Sequence, residues 1–166
     1  MALNKEEVVG LPTGAATIHV ERGPVGKFAK AVTDENPVYH GLAAAREAGF
    51  DSIPAPPTFT FSAASHWGVF PEDQPEDPTG GRGSPMRKLM GDLMKEGGLV
   101  LHGEQEFIYH KPVQVGETLH QEGKIVDLYS KESKGKTMTF LVMETVFKDD
   151  AGAPVVTERF NLIHRK

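Results

Sequence analysis

The consecutive residues Asp34-Glu35-Asn36-Pro37-Val38-Tyr39-His40 set a carboxylate, an amide, a phenol and an imidazole on one short segment. An acid and an imidazole held a few residues apart on a stiff turn can share one water and move its proton, which is general acid–base chemistry. The stiffness comes from Pro37, whose ring fixes its own φ and pushes Asn36 out of the helical region. The same residue types also make an ordinary helix stop, because Asp, Asn and Pro each favour turns. The loop by itself therefore fits a structural turn as well as an acid–base site.

The elements around the loop must hold it in place. Pro24 to Val32 reads as a helix with Val25, Phe28, Ala29 and Val32 on one face, opened by Gly23-Pro24 and ending near Asp34. Before it, Thr17 to Val20 alternates as a short strand, and residues 1 to 13 form a lead-in from which Val8 and Val9 tuck against the body. After the loop, Leu42 to Ala48 is a short alanine-rich helix closed by Gly49, and Asp51 to Pro57 is an extended, proline-rich loop. Thr58 to Val69 is the most apolar stretch of the first half. Thr58 serves as its N-cap, Phe59, Ala63, His66 and Trp67 follow helical spacing, and Phe61 and Ala64 add a second apolar face. A helix apolar on most sides is a buried helix.

Pro71 to Pro85 has no apolar periodicity and reads as a flexible surface insertion. Met86, Leu89, Met90, Leu93 and Met94 then share a helical face, as core or interface filler or as the lining of an acyl pocket. From Leu99 the pattern turns to strands: Leu99 to His110, Thr118 to Ser130, Lys136 to Lys148 and Val155 to His164, the last two joined by a turn at Asp149 to Gly152. One strand, then helices, then four strands is an α+β order with an antiparallel meander, and nothing in residues 1–166 marks an internal linker or repeat.

Bulk properties exclude several function classes. A chain of 166 residues suits one domain with a real core. A net charge of −5 argues against nucleic acid or an anionic membrane as the main partner. The absence of cysteine removes disulfides, thiolate catalysis and cysteine-based zinc sites. Met1 to Gly10 has no signal-peptide apolar core and no run is long enough to span a bilayer, so a soluble cytoplasmic protein is expected. His19, His110, His120 and His164 lack metal-ligand spacing, and His66 reads as a core histidine. His102 and Glu104, two apart on a strand, should share a face as a polar pair, near the cleft or on the surface. Gly80-Gly81-Arg82-Gly83 is not a phosphate loop, since no strand precedes it and no Lys-Ser/Thr follows, although Arg82, Arg87 and Lys88 are cations of the kind that meet a CoA phosphate.

The Asp34 loop resembles the D-x-N-P-x-H signature of the MaoC-like (R)-specific enoyl-CoA hydratases. The run through Val20-Glu21-Arg22, Phe28 to Val32, Asp34 to His40, Ala43 to Ala45, Ala48-Gly49-Phe50 and Pro54 to Phe59 is similar to the MaoC-like dehydratase N-terminal domain, also called the FAS1-like dehydratase domain. The resemblance continues through Leu101 to Gln105 and Phe107 to Pro112. It implies a single hot-dog fold: a curved antiparallel β-sheet wrapped around a central apolar helix, about residues 58–69. It also implies reversible addition of water to a trans-2-enoyl thioester, with no metal and no cofactor. Asp34 falls on the family's acid and Asn36 on its asparagine. Tyr39 stands where the family has its histidine, and His40 comes one residue later, so either can fill that place. The resemblance assigns catalysis to Asp34 and His40 and substrate contact to Asn36, Tyr39, Pro57 and Thr58. A helix N-terminus or loop amide would hold the thioester oxygen. The implied partners are an acyl-CoA or acyl-carrier-protein thioester and a second hot-dog subunit, as a homodimer or heterodimer. Two alternatives share the fold, a non-catalytic substrate-binding subunit and an acyl-CoA thioesterase.

Overall fold

The computed structural model describes residues 4–76 and 85–166. Helix α1 (Lys5–Val8) leads into strand β1 (Pro12–His19), followed by helices α2 (Arg22–Ala31), α3 (Leu42–Glu47), α4 (Phe59–His66) and α5 (Pro85–Lys95). Strands β2 (Leu99–Tyr109), β3 (Thr118–Ser133), β4 (Lys136–Lys148) and β5 (Pro154–Arg165) complete the chain. All five strands form one curved sheet in the order β1-β3-β4-β5-β2, every pair antiparallel. The α+β order expected from the sequence is therefore the order observed. β3 and β4 meet at Lys134 and Gly135, whose φ values of 52° and 73° match the twist of a two-residue hairpin turn.

The inner face of the sheet carries two apolar centres. At one end Ile18, Leu119, Phe147 and Val156 pack against Phe59 of α4 and Val25 and Phe28 of α2. At the other, Ile125, Leu128, Leu141 and Leu162 pack against Leu89 and Leu93 of α5 and Val8 of α1. Ile125 and Leu128 are three apart yet both buried, because the register shifts between Ile125 and Asp127 and the extra residue returns the strand to phase.

Several boundaries differ from expectation. β1 starts at Pro12 rather than Thr17, because its alanines and glycine pair along β3 despite weak strand composition. Val8 is buried, but Val9 is 38% exposed. The central helix spans Phe59–His66, shorter than 58–69. Thr58 is no N-cap in the usual extended conformation; its φ is +69°. Beyond the helix, Gly68 at φ +72° breaks it where a Cβ would lie 2.0 Å from the His19 carbonyl oxygen. Of its described side chains, Phe59 and Thr60 are buried, while Phe61 is 40% exposed. On α5 Leu89 and Leu93 are buried and Met86 and Met90 pack beside them, while Met94 is 68% exposed. The described part of the 71–85 insertion is tied to β1, where the Gln74 amide donates to the Thr17 carbonyl and accepts the Thr17 N–H, both at 3.0 Å. The side chains of Ala63, Ala64 and His66, and the Gly80 to Gly83 stretch, fall outside the described residues. Among the described residues no helix is long and apolar enough to cross a membrane, and no cluster of His, Asp and Glu could hold a metal ion.

Candidate functional site

The loop after α2 is built almost wholly from its own side chains. Thr33 turns the chain at φ +57°, and the Asp34 N–H reaches back 2.9 Å to the Ala29 carbonyl, closing the helix end. The Asp34 carboxylate then accepts the Asn36 N–H at 3.0 Å, and the Asn36 side chain accepts the Val38 N–H at 3.2 Å. These two successive Asx turns start a 3-10 turn over Pro37–Tyr39. His40 folds back over it, its Nε2–H donating to the Asp34 carbonyl oxygen at 2.9 Å. With Nε2 carrying the proton, the neutral ring keeps Nδ1 as its acceptor. Asp34, Asn36 and His40 thus come together on an exposed turn.

Beside that turn lies a cleft of about 390 Å³. Val38 and Tyr39 form one wall, Pro54 to Thr60 the floor, and Tyr109 to Val113 the opposite wall. The proline segment is strapped down by one bond in each direction: the Ala55 N–H donates to the Val113 carbonyl at 2.8 Å, and the Ile53 carbonyl accepts the Val115 N–H at 2.9 Å. Of the sequence-assigned residues, Tyr39, Pro57 and Thr58 line this cleft, whereas Asp34, Asn36 and His40 do not. A 3-10 turn advances about 120° per residue, so adjacent side chains part company, Tyr39 inward and His40 outward. Burial, and then the negative charge of Asp34, push the Tyr39 phenol above its ordinary range, so it stays neutral and can donate a hydrogen bond. The Thr58 N–H, at the start of α4, donates to the Tyr109 hydroxyl at 3.0 Å. On the far wall the Lys111 ammonium is held by Asp149 at 3.0 Å and Glu117 at 3.4 Å.

His102 and Glu104 do not share a face. The register shifts between His102 and Gln105, so the alternation slips by one residue. His102 packs on Phe61 and Phe160 of the inner side, with ring centroids 5.6 Å and 4.4 Å away, while Glu104 accepts from Asn161, the neighbour of Phe160 that points the other way.

One group went unread in the sequence. Glu158 is 5% exposed and accepts the Thr60 hydroxyl at 2.5 Å. Burial pushes its carboxyl up to about 7, with the Thr60 hydrogen bond pulling the other way. Strand periodicity held the signal, since Val156, Glu158, Phe160 and Leu162 occupy one phase of β5, leaving a carboxylate on an inward position.

Comparison with known proteins gives a consistent picture. Residues 7–158 match the model for the FAS1-like dehydratase domain region. A UPF0336 protein of Streptomyces coelicolor is 30% identical over 99% of this chain and 97% of its own length. Among solved structures, the ChsH1–ChsH2 complex of Mycobacterium tuberculosis is similar at a TM-score of 0.72 and 20% identity, covering 92% of this chain and 83% of the matched one. The HadBC complex of the same organism, a 3R-hydroxyacyl-ACP dehydratase, is similar at a TM-score of 0.60 and 21% identity, covering 90% and 94%. At those identities the structural likeness speaks for the fold, which is the hot-dog fold expected from the sequence.

Proposed function

The chain belongs to the FAS1-like dehydratase domain family, and from that premise we propose that it serves hydratase/dehydratase chemistry on acyl thioesters as the subunit that holds the acyl chain, beside a second hot-dog subunit. In that chemistry water adds across the C2–C3 double bond of a trans-2-enoyl thioester, hydroxyl to C3 and proton to C2, or the reverse reaction expels water. The observation that carries the reading is the cleft wall. It presents Tyr39, prolines and aromatic rings, while the Asp34 carboxylate and the His40 imidazole each bond within the neighbouring turn and lie outside the lining. An apolar cleft of this size suits a hydrocarbon chain. A neutral phenol can orient the substrate, but it is a poor base near neutral pH.

The partner subunit is supported by the sheet edge. Among the described residues β2 pairs with β5 alone, and its Leu99, Val100, Leu101, Ile108 and Tyr109 are between 39% and 52% exposed. An edge strand with one side unpaired and apolar groups on both faces is a ready template for another chain. Both mycobacterial neighbours are complexes of two subunits, which agrees with this reading.

A second reading has its own observation. The His40 ring donates to the Asp34 main-chain carbonyl, which places both residues on the same turn. In that reading the chain is itself the catalyst, with Asp34 and His40 as the acid–base pair and Asn36, Tyr39, Pro57 and Thr58 as substrate contacts. Hydration of trans-2-enoyl-CoA by the purified chain, alone and with a co-expressed hot-dog subunit, separates the two. Acyl-thioester binding without turnover until the partner is added supports the first reading. Turnover by the chain alone that disappears in Asp34→Asn overturns it in favour of the second, and release of free CoA without hydration points to a thioesterase.

A further inference from the structure

The inner face of the sheet is covered at one end by α2 and α4 and at the other by α1 and α5. Between the two coverings lies a pocket of about 230 Å³, apart from the cleft already described. Phe61, Met143, Phe147 and Phe160 give it apolar walls. Across its floor runs a polar band that strand register assembles. Gly123 pairs with Thr145, and Thr145 with Glu158, so three adjacent strands place these positions side by side. Gly123 has no side chain to spare there: a Cβ would lie 2.2 Å from the Thr13 hydroxyl oxygen and 3.3 Å from that of Thr145. Next along β3, the Gln121 side-chain oxygen is buried with no hydrogen-bond partner among the described residues. Thr60 lines the outer cleft and Glu158 the inner pocket, so their hydrogen bond links the linings of the two neighbouring spaces.

We propose that this inner pocket is a subsite for a hydroxyl group carried on the acyl chain away from the thioester, received by Gln121, Thr145 and Glu158. The inference rests on the acyl-binding reading above. A plain alkyl chain lying here would cover the Gln121 amide and the Glu158 carboxyl with hydrocarbon, and leaving a buried polar group unpaired weakens binding. A hydroxyl both donates and accepts, so it serves the Gln121 amide in either orientation and the Glu158 carboxyl in either protonation state. The aromatic walls take the methylenes on either side. Sites built to hydrogen-bond a hydroxyl discriminate against the analogue lacking it far more strongly than apolar pockets discriminate by size.

The test uses the full chain and saturated acyl-CoA thioesters, which cannot be hydrated, from hexanoyl to dodecanoyl, each with and without a terminal hydroxyl. Calorimetry should find a chain length at which the hydroxylated thioester binds about tenfold more tightly, the worth of a hydrogen bond to an otherwise unpaired group. Gln121→Met should remove that preference and tighten binding of the plain chain. Thr145→Val, which keeps the volume, should weaken the preference as well. Equal affinities at every length, or a preference that survives both substitutions, would mean a solvent-filled crevice and overturn the proposal while leaving the acyl-binding reading intact. If no thioester of either series binds, the functional reading fails and the subsite fails with it.

Discussion

The Thr60 hydroxyl donates to the Glu158 carboxylate across 2.5 Å, joining the central helix to the last strand through the interior of the molecule. Both residues are buried, at 3% and 5% exposure, and among the described residues no charged group neutralises the carboxylate. The bond ties helix to sheet, and the burial of the carboxyl makes the fold sensitive to pH.

Stability should fall as pH rises from about 4.5 to about 7. Below that window Glu158 is protonated in both states and contributes nothing. Within it the unfolded chain releases a proton that the folded chain retains, which favours unfolding. Above it the folded state carries the whole penalty, about 3 kcal/mol, since each pH unit across the window contributes about 1.36 kcal/mol. Denaturant titrations at acid and mildly alkaline pH should show this loss, and Glu158→Gln should flatten it. An unchanged profile in the variant would place the pH dependence elsewhere.

Asp34→Asn keeps the oxygen that accepts the Asn36 N–H and removes the charge. In the binding-subunit reading its folding and thioester affinity stay near those of the parent, and a reconstituted complex keeps its turnover. If Asp34 is instead the general acid–base group, turnover falls about a hundredfold or more. His40→Ala loses the bond to the Asp34 carbonyl and should cost about 1 kcal/mol of stability without weakening thioester binding. Tyr39→Phe should do the reverse, sparing stability and weakening the complex with substrate.

Gly68→Ala should destabilise severely. The new Cβ would meet the His19 carbonyl oxygen at 2.0 Å, at a φ of +72° that itself costs about 1–2 kcal/mol for an L side chain. The His19 N–H also bonds the Gly68 carbonyl at 2.7 Å, so β1 and the end of α4 cannot simply separate. Thermal melting of the variant, or its insolubility, reports the effect; a parental melting temperature would show that this approach is not tight in solution.

The exposed edge strand should govern assembly. Light scattering of the purified chain should give a dimer mass, or a hot-dog partner should co-purify. Leu101→Glu places a charge among the apolar side chains of β2 and should shift the species toward monomer, with little effect on melting because Leu101 is 39% exposed. A monomer mass for the parent at micromolar concentration, with no partner, would remove the edge strand from this role.

How much of the molecule was legible in the chain depends on how local each feature is. β4 matches its expected bounds, Lys136 to Lys148, and β5 exceeds its own by one residue at each end, because alternation and β-branched composition are properties of neighbouring residues. The two Asx turns follow from Asp34, Asn36 and Pro37, neighbours in the chain. The loop sequence does not say which of Tyr39 and His40 enters a cleft. That depended on the one-residue advance of a 3-10 turn and on walls supplied by residues 54–60 and 109–113.

Alternation along β5 alone sufficed to turn Glu158 inward. Its partner Thr60 lies 98 residues away in the chain, and only the packing of α4 on the sheet brings them together. Likewise the bulge after His102, which sends Glu104 to the opposite face, arises from how β2 registers on β5 rather than from either segment by itself. Local periodicity decided which way each side chain points. Register, bulges and helix packing, set by hydrogen bonds and burial between segments far apart in the chain, decided what each side chain meets.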